Sequence, residues 1–155
     1  MTNDFEVTKN IVNGYWYTFE YIPETFTKGY DRFPFIYCIG PSETNLNCFL
    51  ALNLHHLPLQ YRIEFMVLFD KLSNFRNEDT RKIYTKNDLI NLYPGCQDAI
   101  RFYNKKNILN PMRVLNKCVP NYLEYDGDIL MSNPSELMNK YLLNLGNNKT
   151  TESRK

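Results

Sequence analysis

The chain has 155 residues and is notable first for what it has little of. It has only two histidines and four cysteines, Cys38, Cys48, Cys96 and Cys118, with no C-x-x-C spacing and no histidine at ligand spacing from a cysteine. That pattern speaks against a zinc module and a disulfide framework, and favours four free thiols over a Cys38–Cys48 bridge across a hairpin. Excess charge of one sign is missing too: 18 basic and 17 acidic residues leave a net charge of +1, so no global field draws the protein to nucleic acid or anionic lipid. No apolar run approaches the roughly 18 residues of a membrane span. The opening MTNDFEVTKN has no cationic stretch leading into an apolar one, so no signal peptide is expected and the chain reads as soluble and intracellular. Gly-rich phosphate loops, G-x-S-x-G and paired acids at nuclease-like spacing are also lacking.

What the chain does have is aromatic surface. Twelve tyrosines, ten phenylalanines and one tryptophan make up 15% of it. Tyrosine packs like an apolar residue but needs a hydrogen-bond partner, and it is favoured at interfaces.

Periodicity predicts the elements. Tyr15, Tyr17, Phe19 and Tyr21 alternate with Trp16, Thr18 and Glu20, which predicts a strand ended by Pro23. FPFIYCIG and LNCFLALNL read as two further strands joined by the turn PSETN, hence an antiparallel hairpin. Leu59, Phe65, Met66, Phe69 and Leu72 predict a helix over 58–73. Thr85 to Asp88 resembles a capping box opening another. QDAIRFYNKK reads as a short helix, and Asn110-Pro111 as the cap of one over 111–117. Asp126-Gly127 suggests a small hairpin, Pro134 the start of a last helix closed by Gly146, and 147–155 a disordered tail. Together these predict one α+β domain over 1–146. Residues 12–57 would form a small, curved, SH3-like antiparallel sheet module after a polar lead-in, and 58–146 a mostly helical part.

Three groups are candidates for function. Asp31, Arg32, His55, His56 and Arg62 form a candidate polar lock at a folding corner, with Asp31 facing Arg62 or a histidine. Adjacent histidines on an extended segment point to opposite faces, which argues against one shared metal. With no nucleophile and base held by a third group, no catalytic residue is assigned, and neither metal nor other cofactor is expected. Tyr15, Trp16, Tyr17, Tyr21 and Tyr30 are a candidate partner interface. Arg101, Lys105 and Lys106 around Phe102 and Tyr103 are candidates for nucleic-acid contact, because base stacking needs aromatics near cations.

Tyr30-Asp31-Arg32-Phe33-Pro34, then Leu52-Asn53-Leu54-His55-His56-Leu57-Pro58, then Arg62, resemble a pattern in a family of small proteins of T4-like and related large tailed bacteriophages. The likeness covers about a third of the chain, from Gly14 to Arg62; His56 stands where the pattern has tyrosine, and nothing after residue 75 contributes. It implies a non-enzymatic virion or assembly component of tail, neck or baseplate type, present in the virion and in the host cytoplasm during assembly. Its partners would be other phage structural proteins, in a symmetric multi-copy assembly away from membranes. A DNA-associated accessory role at genome ends or in transcription is the alternative, and a hydrolase or nuclease a more distant one.

Overall fold

The structure is a computed structural model that describes residues 5–23 and 31–124. Six strands form one antiparallel sheet: β1 (Phe5–Val7), β2 (Trp16–Tyr21), β3 (Phe35–Pro41), β4 (Cys48–Asn53), β5 (Ile100–Asn104) and β6 (Ile108–Val114). They lie in the order β1-β6-β2-β3-β4-β5. Two α-helices, α1 (Leu59–Ser73) and α2 (Lys86–Leu92), and several 3-10 turns occupy the segment between β4 and β5. The fold is therefore α+β, as the pattern predicts, and the β3–β4 hairpin, α1 and the capping box of α2 appear where expected. In that box the Thr85 hydroxyl accepts from Asp88 N–H, and the Asp88 carboxylate accepts from Thr85 N–H.

Other expectations need correction. The lead-in supplies a strand, since Phe5, Glu6 and Val7 pair with Val114, Arg113 and Met112. The part after residue 57 carries the helices and 3-10 turns as expected, but it is not only a helical attachment, because it also completes the sheet with β5 and β6. Residues 100–104 lie on β5, not on a helix: Ile100 and Phe102 share one face, and Arg101 and Tyr103 the other, a period of two that the flanking polar residues obscure.

Asn110-Pro111 is a bulge and not a helix cap. Between the pairs Thr18↔Met112 and Glu20↔Leu109, β6 carries one residue more than β2, and Asn110 takes up the kink at φ 52°. A proline is tolerated there because the ladder asks for no donor. The same Asn-Pro signal serves both structures. The predicted 126–127 hairpin, the 134–146 helix and the 147–155 tail lie outside the described residues.

The sheet is open, with β1 and β5 as its edges, so the expected SH3-like barrel is not closed. It is strongly curled all the same. Three strands stand between β5 and β6, about 19 Å across four strand spacings in a flat sheet. Only Lys105–Asn107 joins them in the chain, a link from Asn104 to Ile108 of at most about 14 Å. The ends of these strands must come together, and Asn104 N–H of β5 donates to the Tyr21 hydroxyl of β2 at 3.0 Å across the curl.

Curling gives the sheet two buried faces, which is why β3 and β4 read as nearly continuous apolar runs. On one face Trp16, Phe35, Tyr37 and Leu52 pack against Phe65 and Phe69 of α1 and against Phe75. Trp16 sits 5.2 Å from the Tyr37 ring and meets Phe69 edge-on at 5.7 Å. The other face gathers Tyr17, Phe19, Ile36, Cys38, Phe49, Ala51 and Tyr103. All four cysteines are free, and burial pushes the Cys38 thiol up to about 12. At the far end of β2, Gly14 (φ 92°) turns the chain beneath Arg81, whose Cγ would lie 2.8 Å from an added Cβ.

Candidate functional site

β4 ends at Asn53, and this residue organises the corner. Its side-chain carbonyl accepts from His55 N–H at 2.9 Å, capping the 3-10 turn Leu54–His56. Its amide donates to Asp31 Oδ2 at 3.1 Å and to the Tyr103 hydroxyl at 3.0 Å. The same Asp31 oxygen lies 2.7 Å from His55 Nδ1, and Oδ1 accepts from Phe33 N–H at 3.2 Å. Three segments of chain, residues 31–33, residues 53–55 and β5 at Tyr103, thus meet on one carboxylate and one amide.

The corner is enclosed. The side chains of His55 and Asp31 are 6% and 12% exposed. Burial by itself would raise the Asp31 pKa, but the hydrogen bond and charge of His55, with the Asn53 and Phe33 donors, outweigh it and hold the carboxyl below its ordinary value. Burial, and then Arg101, push the neighbouring His56 down. An aspartate holding a histidine by Nδ1 is also the orienting half of a nucleophilic triad. Here His55 Nε2 is buried and has no hydrogen-bond partner among the described residues, so none of them stands against it as a nucleophile. The pair fastens the loop at residue 31 to the end of β4.

The other expected lock residues are placed separately. Arg32 reaches Glu20 on β2, Nε at 2.7 Å and Nη2 at 2.5 Å from Oε2, with its guanidinium 5.3 Å from the Phe33 ring. Arg62 is buried on α1 and donates to the carbonyls of Leu57 (2.7 Å) and Leu123 (2.9 Å). Asp31 therefore faces the histidine and not Arg62. Four of the five residues make three anchors instead of one cluster, His56 standing beside them, and the sequence reading missed Asn53, Tyr103 and Glu20. Asn53 had a signal, an asparagine directly before a change from strand to turn. Tyr103 had none, being 50 residues away.

The expected partner interface is largely internal, and this too is a correction. Trp16 and Tyr17 are each 1% exposed. The Tyr17 hydroxyl accepts from Val12 N–H and that of Tyr21 from Asn104 N–H, both at 3.0 Å. Tyr15 lies under the Arg113 guanidinium, 3.8 Å from the ring centroid. Tyr30 lies outside the described residues. Tyr15, Tyr17 and Tyr21 close the structure instead of presenting a surface.

The third candidate group is exposed. Arg101, Lys105 and Lys106 lie at the β5 edge and just past it, and Phe102 between them is 64% exposed. On the helix side of this edge runs a groove of about 640 Å³, lined by Ile39, Pro41, Leu50, Phe102, Thr85 and Lys86 among others.

Set against protein-family models, curated proteins and solved structures, the chain matches none. Among the described residues, no helix is long and apolar enough to cross a membrane, and no three His, Cys, Asp or Glu side chains gather to hold a metal ion.

Proposed function

We propose that the protein is a non-enzymatic bacteriophage virion or assembly component, of tail, neck or baseplate type, that works through contacts with other phage structural proteins. The phage assignment is supported by the resemblance of Tyr30–Pro34 and Leu52–Pro58 to that family. The observation that carries the mode of action is the contrast between a sealed Asp31–His55 corner and an exposed β5 edge bearing Phe102. Chemistry needs an accessible reactive group, whereas docking needs an accessible edge or aromatic anchor. The finer architectural reading, an SH3-like module with the helical segment inserted between β4 and β5, is supported by the curled run β6-β2-β3-β4-β5 and the tight 3-10 link from β5 to β6. Mass spectrometry of gradient-purified virions should find the protein in fixed copy number; a proteome without it removes the virion assignment.

A DNA-associated role is the second reading, favoured by the exposed Phe102 beside Arg101 and Lys105. It requires retention on DNA at low salt, weakened by Lys105→Glu and Lys106→Glu. No retention at low salt rules it out.

A further inference from the structure

We propose that Phe102 is the docking point for an extended, acidic segment of a partner protein, which forms a short β-bridge with it and places an apolar side chain in the adjoining groove. The inference rests on the reading of the protein as one that acts by protein contact, and it names the chemistry of the partner.

The ladder fixes which backbone groups are available. Lys105 N–H donates to Asn47 C=O at 2.9 Å, so 47/105 is a hydrogen-bonded antiparallel pair. Such pairs alternate, which makes 49/103 and 51/101 hydrogen-bonded and turns the backbone groups of Ile100, Phe102 and Asn104 away from β4. Two of the outward donors are already engaged: Ile100 N–H by Gln97 C=O, and Asn104 N–H by the Tyr21 hydroxyl. Phe102 keeps both its N–H and its C=O, and neither has a hydrogen-bond partner among the described residues. One residue of an extended peptide satisfies that donor–acceptor couple.

Side-chain direction then specifies the occupant. A residue paired with Phe102 projects to the same face, where Leu50, Ile39 and Pro41 offer apolar walls. Its neighbours project to the opposite face, that of Arg101. Arg101, Lys105 and Lys86 make no ion pair with any described residue, while Glu43 is the single acid lining the groove among the described residues. An apolar residue flanked by carboxylates fits both requirements. A second copy of the chain does not fit as well: with only one residue's couple available, an edge of five residues falls short of the roughly 1,000 Å² that a stable interface needs. Single-stranded nucleic acid would bind here by stacking on Phe102 and by backbone charge, and it is the rival that the test includes.

The probe is a fluorescein-labelled pentapeptide, Glu-Asp-Leu-Asp-Glu, followed by fluorescence anisotropy with the full chain. The expected result is saturable binding with Kd below about 1 mM. Phe102→Ser and Arg101→Glu should each weaken binding about tenfold or more. Methylating the leucine nitrogen of the peptide, which removes its donor without touching the protein, should weaken it comparably, and exchange of the Phe102 amide should slow when the unmodified peptide is bound. No binding at about 1 mM, equal binding of the N-methyl peptide, or tighter binding of an oligothymidylate octamer overturns the proposal. If the protein is found in virions and Phe102→Ser enters them at wild-type copy number while the peptide fails to bind, this inference alone falls.

Discussion

Two polar-aromatic regions of this molecule look alike in composition and behave oppositely. At the corner, Asp31, Asn53, His55 and Tyr103 turn their polar atoms toward one another, and of these four side chains His55 alone keeps a buried atom, Nε2, with no hydrogen-bond partner among the described residues. At the β5 edge, Arg101, Phe102 and Lys105 are exposed, and their side chains make no ion pair with any described residue. The corner contains the most distinctive stretch of the sequence, and the edge the least distinctive. A distinctive motif can therefore mark a structural requirement: a carboxylate that must be paired once buried restricts its neighbours more tightly than a surface does.

The sharpest way to break this comparison is Asp31→Ala. It strands one N–H of the Asn53 amide and His55 Nδ1 in an enclosed site, and stability should fall by about 3 kcal/mol in urea unfolding. A loss within a few tenths of a kcal/mol would mean that the corner is open to water and no different in kind from the edge.

Acid should have a smaller, graded effect at the same place. Because the folded-state pKa of Asp31 lies below its ordinary value of 3.8, ionised Asp31 favours the folded state. That contribution is fully present above the unfolded-state pKa of about 3.9 and is lost as pH falls toward the lower folded-state value. Unfolding midpoints measured from pH 6 down to about pH 2.5 should drop less steeply in Asp31→Asn than in wild type. The variant keeps an oxygen to accept from His55 but cannot titrate. Parallel profiles would remove Asp31 as a source of the acid sensitivity.

How legible these regions are in the sequence follows from the range of the interactions that build them. Local signals worked: the alternation in β2, the apolar stripe of α1 and the Thr85–Asp88 box depend on neighbours a few residues apart. The partners of the corner did not show, because Asp31 is 22 residues from Asn53, and Asn53 is 50 from Tyr103. β5 and β6 were hidden for a different reason. A five-residue edge strand with one bare face, and a strand broken by an Asn-Pro bulge, leave too little periodicity to tell from a short helix. The burial of Trp16 and Tyr17 was equally illegible, since alternation shows that a strand has two faces but not that both are covered.

The smallest expected effect is the most discriminating. Phe102 is a large aromatic residue that is mostly solvent-exposed, so Phe102→Ser should change stability by no more than about 0.5 kcal/mol. The same substitution at Phe35 or Phe69, which are fully buried, falls among core truncations that cost several kcal/mol. A free monomer gains little by keeping an exposed phenylalanine on an edge strand, where a charged residue would guard better against unwanted pairing. Should Phe102→Ser prove strongly destabilising, the ring would be holding the groove wall together and the contrast between corner and edge would disappear. If it is neutral for folding yet lowers assembly into particles, the edge is where the protein meets its partner.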